Sequence, residues 1–439
     1  MLKKITSLFL VAAIAGAISV GCGKDDSVST PATQDAASAT AAAGESAAGK
    51  SNPENAAGEI TFSSNRTDLQ NTLLPQFVAD FNKEFPDIKV NIETIKDYQA
   101  AIKVKMSSND LPDVWTVHNG YYTKDQLTKY NLPLDDYEFT KDFLYSEVFS
   151  GSDGKIYALP QGASATGVVY NKKIFSELGI SVPQTLDEMI SAGKKITGSG
   201  RAGLATAAKA GWPLQYYWLD IANTIAGDGN YRNTLAENEA PFTVDSPMGK
   251  AFSLLKAFRE AGILEKDPLS SDWEPIKKDF RDGKVGMFIL GPWFIPQALD
   301  PLTLDDVGFF PLPYDNEKTP KKVSAGPDVA LGMAQNTKNR AATEAFFKFM
   351  MDTNYANAGK SLGLLTARKS IAVDIPFAKE FESYSPQKLD VVSDTKAYTD
   401  IMNKAQVDYN KLAQEVLVSG DIQKAFDQLN TRWKKAMGK

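Results

Sequence analysis

The chain is 439 residues long and 43% hydrophobic, with 48 basic and 54 acidic residues, a net charge of −6 and a single cysteine. Charges of both signs are interspersed without a basic stripe, which excludes a nucleic-acid partner. The lone cysteine sits at position 22, so the chain beyond it has no disulfide framework, no cysteine-based zinc site and no thiol nucleophile.

The first predicted element is an apolar run. Lys3 and Lys4 precede Leu8 to Val20, and Ser19-Val20-Gly21-Cys22 closes the segment. The run is shorter than the roughly 20 residues a membrane-spanning helix needs, and no later stretch approaches that length. These residues resemble the signal peptide and lipobox of a bacterial lipoprotein, with Ser19 standing where an aliphatic residue is usual. The resemblance implies cleavage after residue 21 and lipidation of Cys22. The protein would then lie outside the cytoplasm, anchored by lipid to the outer face of the cell membrane. The other reading is an ordinary signal peptide followed by an incidental cysteine.

Residues 22–57 are almost entirely Ser, Ala, Thr, Gly, Asp and Glu after the cysteine. Such a segment has too little apolar surface to offset the entropy of ordering, so it is expected to be a disordered linker. As a flexible coil it would span roughly 30–35 Å. The remaining chain exceeds the roughly 250–300 residues at which single cores stop growing, so two domains are expected.

The folded part begins with a strand over Glu59-Ile60-Thr61-Phe62-Ser63-Ser64, interrupted at Asn65-Arg66-Thr67-Asp68. Leu69, Leu73, Leu74, Phe77, Val78 and Phe81 recur at intervals that predict a helix, closed before Pro86. A strand over Ile88–Ile92, a helix over Tyr98–Met106 and a strand over Asp113–Val117 follow. This alternation predicts an α/β fold with a parallel sheet, whose ligands bind beyond the carboxyl ends of the strands.

Several runs then occur in a specific order: Phe81-Asn82-Lys83-Glu84-Phe85-Pro86-Asp87, Leu111-Pro112-Asp113-Val114, Tyr157-Ala158-Leu159-Pro160 and Val168-Val169-Tyr170-Asn171. Gly291-Pro292-Trp293 and Gly326-Pro327-Asp328-Val329 come later. From about residue 59 to the C-terminus the chain resembles the extracellular solute-binding proteins of sugar ABC transporters, the family of maltose-binding protein. The resemblance implies a two-lobed periplasmic-binding-protein-like fold of type II, each lobe a mostly parallel sheet flanked by helices, with the ligand cleft at the hinge. The N-terminal lobe would comprise residues 59–163 plus 329–364, and the C-terminal lobe 164–328 plus 365–439.

Candidate ligand-binding residues fall where loops of both lobes would meet. Asn65 and Arg66 end the first strand, and Arg66 offers bidentate donors suited to hydroxyl pairs or a carboxylate. His118, Asn119 and Tyr121 close the third strand. His118 is the only histidine and is open to a purely structural reading. Gln161 and Ser164, with Thr166, lie at the first lobe crossing, and Gly326 and Asp328 at the return crossing. Trp293 is the leading candidate to stack on a pyranose face, because Gly291 and Pro292 break the preceding strand. Trp212 and Tyr216 are favoured over Trp218, which lies on a helix-like stretch expected to pack inward.

The implied function is a sugar or oligosaccharide receptor that delivers its ligand to the permease subunits of an ABC importer, as a monomer and without a cofactor or metal. No phosphate loop, Gly-x-Ser-x-Gly elbow or histidine pair is present, so catalysis is not expected. The alternatives are an extracellular glycoside hydrolase or lyase, and a receptor for a non-sugar solute on the same fold. Within the receptor reading, Arg66 would suit an acidic oligosaccharide.

Overall fold

Two α/β lobes are joined by crossing strands in the computed structural model, which describes residues 56–119, 121–372 and 374–438. The signal-peptide and linker expectations, and Cys22, lie outside these residues. The first lobe opens with β1 (Gly58–Ser64), β2 (Ile88–Thr94) and β3 (Val114–His118), with β1 parallel to both of its neighbours. The helix between β1 and β2 starts at Leu73, four residues later than its apolar spacing predicts. Pro75 explains the delay: it fits the first turn, where no amide donor is required, but would break a helix begun at Leu69.

β4 (Leu159–Pro160) completes this part of the sheet. The chain then runs through β5 (Ala163–Ala165) into β6 (Gly167–Asn171), the first lobe crossing expected around Ser164 and Thr166. The run changes partners rather than stopping. Up to Thr166 it pairs with β10 (Lys322–Pro327), the Thr166 amide donating to the Ser324 carbonyl at 3.0 Å. From Gly167 onward it pairs with strands of the second lobe. That sheet also contains β7 (Ala202–Ala205), β8 (Val285–Leu290) and β9 (Val307–Phe310), in the order β7-β8-β6-β9.

After β10 the chain re-enters the first lobe as β11 (Val329–Met333), giving the order β2-β1-β3-β11-β4. Each sheet therefore runs in one sense except for a single reversed strand: β11 in the first lobe, β6 in the second. In both cases the reversed strand is the one that arrives from the other lobe. β12 (Gln387–Asp390) lies parallel to β10, outside both main sheets.

The period-two alternation of β3 divides the first lobe into two cores. Val114 joins Ile60, Phe62, Phe77, Phe81 and Phe346 on one face, while Trp115 and Val117 join Tyr98, Ile102 and Leu127 on the other. Burying each of these aromatic or aliphatic side chains stabilises the fold by about 1.5–3 kcal/mol. A larger core surrounds the second sheet. The C-terminal helices Tyr409–Ser419 and Ile422–Ala436 contribute Tyr409, Phe426 and Trp433 to it.

A third crossing segment lies beside the β5–β10 pair. Ala163 and Leu365 exchange backbone hydrogen bonds of 2.8 and 2.9 Å. Three residues later, Arg368 holds the segment to the first lobe. Its Nε donates to Asp142 at 2.8 Å, its guanidinium also reaches Asp352 at 2.6 Å, and it lies 5.4 Å from the Phe143 ring centroid.

Candidate functional site

The strand directions decide which residues face the space between the lobes. Forward strands present their carboxyl ends there, and the reversed strands present their amino ends. Thus His118 ends β3 opposite Val329, which begins β11. In the second lobe Leu290 ends β8 opposite Gly167, which begins β6. The result is a cleft of about 280 Å3 lined from both sides by His118, Asn119, Tyr121, Ser164, Tyr216, Trp293, Gly326 and Asp328, all expected from the sequence.

Asn65, Arg66 and Gln161 line a smaller adjoining pocket of about 30 Å3, which shares Asp328 and Val329 with the cleft. The Arg66 guanidinium is engaged by Asp68, with bonds of 2.9 and 2.8 Å to the two carboxylate oxygens. The side-chain oxygen of Asn65 is buried without a hydrogen-bond partner.

Trp293 is presented by the turn that follows β8. Gly291 is required there by close approach: a Cβ at this position would lie 2.5 Å from Ser164 Oγ and 2.6 Å from the Trp293 ring. The indole Nε1 donates to the Tyr216 hydroxyl at 3.1 Å, which fixes the edges of both rings. Trp212 does not line the cleft. It packs instead on Trp293, at 5.8 Å between centroids, and edge-on against Trp273 at 4.7 Å. The turn bearing it leaves β7 through Gly211, whose φ of +77° favours glycine. That turn is pinned by Glu265, whose buried carboxylate accepts from the amides of Thr206 and Ala207 and from the Thr206 hydroxyl, at 2.8–3.0 Å. Trp218 turns inward, donating to Asn410 at 2.8 Å and stacking on Tyr409.

The sequence reading missed Asp220, which lines the cleft from a π-helical turn at Tyr217–Ile221. It stands four residues after Tyr216, one helical turn along the same face, so helical spacing alone could have pointed to it. Burial pushes its carboxyl up to about 6, against the opposing influence of a hydrogen bond with Thr166 and the charge of Arg232. Burial likewise raises Asp328, with Arg66 partly offsetting it. His118 is pushed down to about 4 by burial, so its imidazole is neutral near pH 7, and its Nδ1 is buried without a partner. Ser324, also missed, donates to the Asp220 carbonyl at 2.8 Å. It lies two and four residues before Gly326 and Asp328, a spacing legible from strand alternation.

A polar cleft at the meeting edges of two α/β sheets, walled by indole and phenol rings, is the kind of site that holds a small polar solute. The sequence profile of bacterial extracellular solute-binding proteins matches residues 64–356. The chain belongs to this family. Among the relatives of this solute-binding protein is the multiple sugar-binding protein of Streptococcus mutans, 25% identical over 285 residues, covering 63% of this chain and 67% of that protein. The melibiose/raffinose/stachyose-binding protein MelE of Bacillus subtilis is 22% identical over 355 residues, covering 78% and 82% of the two chains. The fold matches that of BlMnBP1 from Bifidobacterium animalis subsp. lactis, an ABC-transporter binding protein solved in complex with mannobiose, with a TM-score of 0.72 and 22% identity over 88% of this chain and 96% of that one. These proteins are binding proteins, and the type II two-lobed architecture is shared. No helix among the described residues is long and apolar enough to cross a membrane.

Proposed function

We propose that this solute-binding protein captures a sugar or oligosaccharide in its cleft by closure of the two lobes, and hands it to the permease of an ABC importer. The observation that carries this reading is the hydrogen-bonded pair Trp293–Tyr216 facing the cleft beside Asp220 and Asp328. An aromatic face stacks on the apolar side of a pyranose while the carboxylates accept its hydroxyls. Relatives that bind sugars support the same reading. The lobes are assigned as 59–163 plus 329–364 and 164–328 plus 365–439. Binding energy, rather than bond chemistry in this chain, is what closes the lobes.

A thermal-unfolding screen of the full chain against mono- and oligosaccharides tests this. A sugar at about 100 times its dissociation constant stabilises the fold by about 2.7 kcal/mol, and Trp293→Ala is expected to abolish that shift. Chromatography should recover the sugar intact. Its breakdown would move the protein to the glycoside hydrolases or lyases, and no shift with any sugar would point to another solute.

We further propose that Cys22 carries lipid that tethers the protein outside the membrane, with residues 23–57 as the spacer. In cells, the wild-type chain is expected in the detergent-soluble membrane fraction and Cys22→Ser in the soluble or secreted fraction. Equal partitioning of the two would leave the cysteine incidental.

A further inference from the structure

The cleft contains more information about its ligand than the presence of aromatic walls. Its described lining includes two carboxylates, Asp220 and Asp328, and no lysine or arginine. The one imidazole, His118, is held neutral by burial. The two guanidinium groups that act on these carboxylates stand outside the lining: Arg66 lies in the adjoining pocket, bonded to both oxygens of Asp68, and Arg232 pairs with Asp394 at 2.8 Å. Neither guanidinium is part of the cleft lining, although the sequence taken alone makes Arg66 look suited to a carboxylate there.

We propose that Asp220 and Asp328 set the charge selectivity of the cleft: they accept hydroxyl hydrogen bonds from an uncharged saccharide and reject the same saccharide when it bears a carboxylate. This inference rests on the carbohydrate reading above and narrows it. The physical reason is geometric: both carboxyls are half-buried in the wall of one small cleft between the lobes, where a charge is less well solvated than at the open surface, and burial raises both. A third negative charge would enter this space with no cation in the lining to meet it, and like charges brought together at a binding interface cost several kcal/mol. A hydroxyl donor instead satisfies the carboxylate oxygens with charge-assisted bonds.

The test uses calorimetry on the full chain at pH 8 with raffinose, maltotriose and mannobiose, each beside the form in which the C6 hydroxymethyl group of its non-reducing terminal hexopyranose (galactose in raffinose) has been oxidised to a carboxylate. Whichever neutral sugar binds, its oxidised partner is expected to bind at least about a hundredfold more weakly. In Asp220→Asn/Asp328→Asn, whose side chains keep their shape, the gap is expected to narrow to less than about tenfold. Asp328→Asn alone serves if the double variant does not fold, and should close part of the gap. An oxidised sugar that binds as tightly as its neutral parent overturns the inference and leaves the carbohydrate reading intact. So does a gap that the variants leave unchanged. Binding by no member of either series, together with no shift for any sugar in the thermal-unfolding screen, overturns the carbohydrate reading and the inference with it.

Discussion

Arg368→Ala is expected to lower the unfolding free energy by about 2–4 kcal/mol, measured as a shift of the urea midpoint at constant slope. The Arg368 side chain is 8% exposed and lies between Asp142, 19% exposed, and Asp352, 51% exposed. Removing the guanidinium leaves Asp142 largely out of water without its counter-charge. Asp352 can recover hydration, which holds the figure below that for a fully buried pair. The loss also takes the contact with the Phe143 ring. Asp142→Asn in the Arg368→Ala background should recover part of the deficit, because it removes the orphaned charge. A single-variant loss below about 0.5 kcal/mol would show that this junction of the third crossing segment with the first lobe is held by packing alone.

Ligand affinity is expected to rise with pH through about 6 and then level off. In the folded protein Asp220 holds its proton up to about 6, against an ordinary value of 3.8. Between these values the native state binds more protons than the unfolded one, so the Asp220 contribution to ligand-free stability falls as pH rises towards 6 and is constant above it. Ligand-induced stabilisation runs the other way, since sugar hydroxyls donate to the ionised carboxylate and favour it. If only that form binds well, affinity at pH 5 should be about tenfold weaker than at pH 8. The charged and hydrogen-bonding groups acting on Asp220 are Arg232 and Thr166. Asp328, also raised, is the second carboxylate of the lining, and His118, pushed down to about 4, stays neutral across the window. Asp220→Asn should flatten the profile, with any remaining slope removed by adding Asp328→Asn. Calorimetry at half-unit pH steps checks this, and an unchanged slope in Asp220→Asn would sink it.

What was legible in the sequence follows from which interactions are local. The strand-helix alternation of the first lobe is written in period-two and period-four spacing, and its strands fall within a residue or two of where that spacing puts them. The helix start was missed because Leu69 fits the apolar stripe while Pro75, six residues on, forbids it. Trp293 was legible because Gly291 and Pro292 end a strand just before it. Trp212 shows the limit: a glycine and a proline also flank it, but which surface a ring meets depends on Trp273 and Trp293, distant in sequence and brought close only by the fold. Trp273 itself, at the start of the helix Trp273–Arg281, carries no local mark of its neighbours. Asp220 lay within reach of helical spacing from Tyr216, yet its significance depends on burial, which one segment cannot report.

The crossing strands have a mechanical consequence. Ala163, Ser164 and Ala165 face Pro327, Gly326 and Ala325 in a narrow ribbon of small side chains, with Leu365 bonded along its edge. Covalent backbone resists stretching, and the cross-strand bonds oppose sliding of one strand past another, whereas small side chains offer little resistance to twist and bend. The ribbon therefore acts as a flexure with few soft coordinates: the lobes can swing on an arc but cannot easily drift apart or shear. A contact made anywhere in the cleft is then felt at the outer rims of both lobes as the same rotation, amplified by their distance from the pivot.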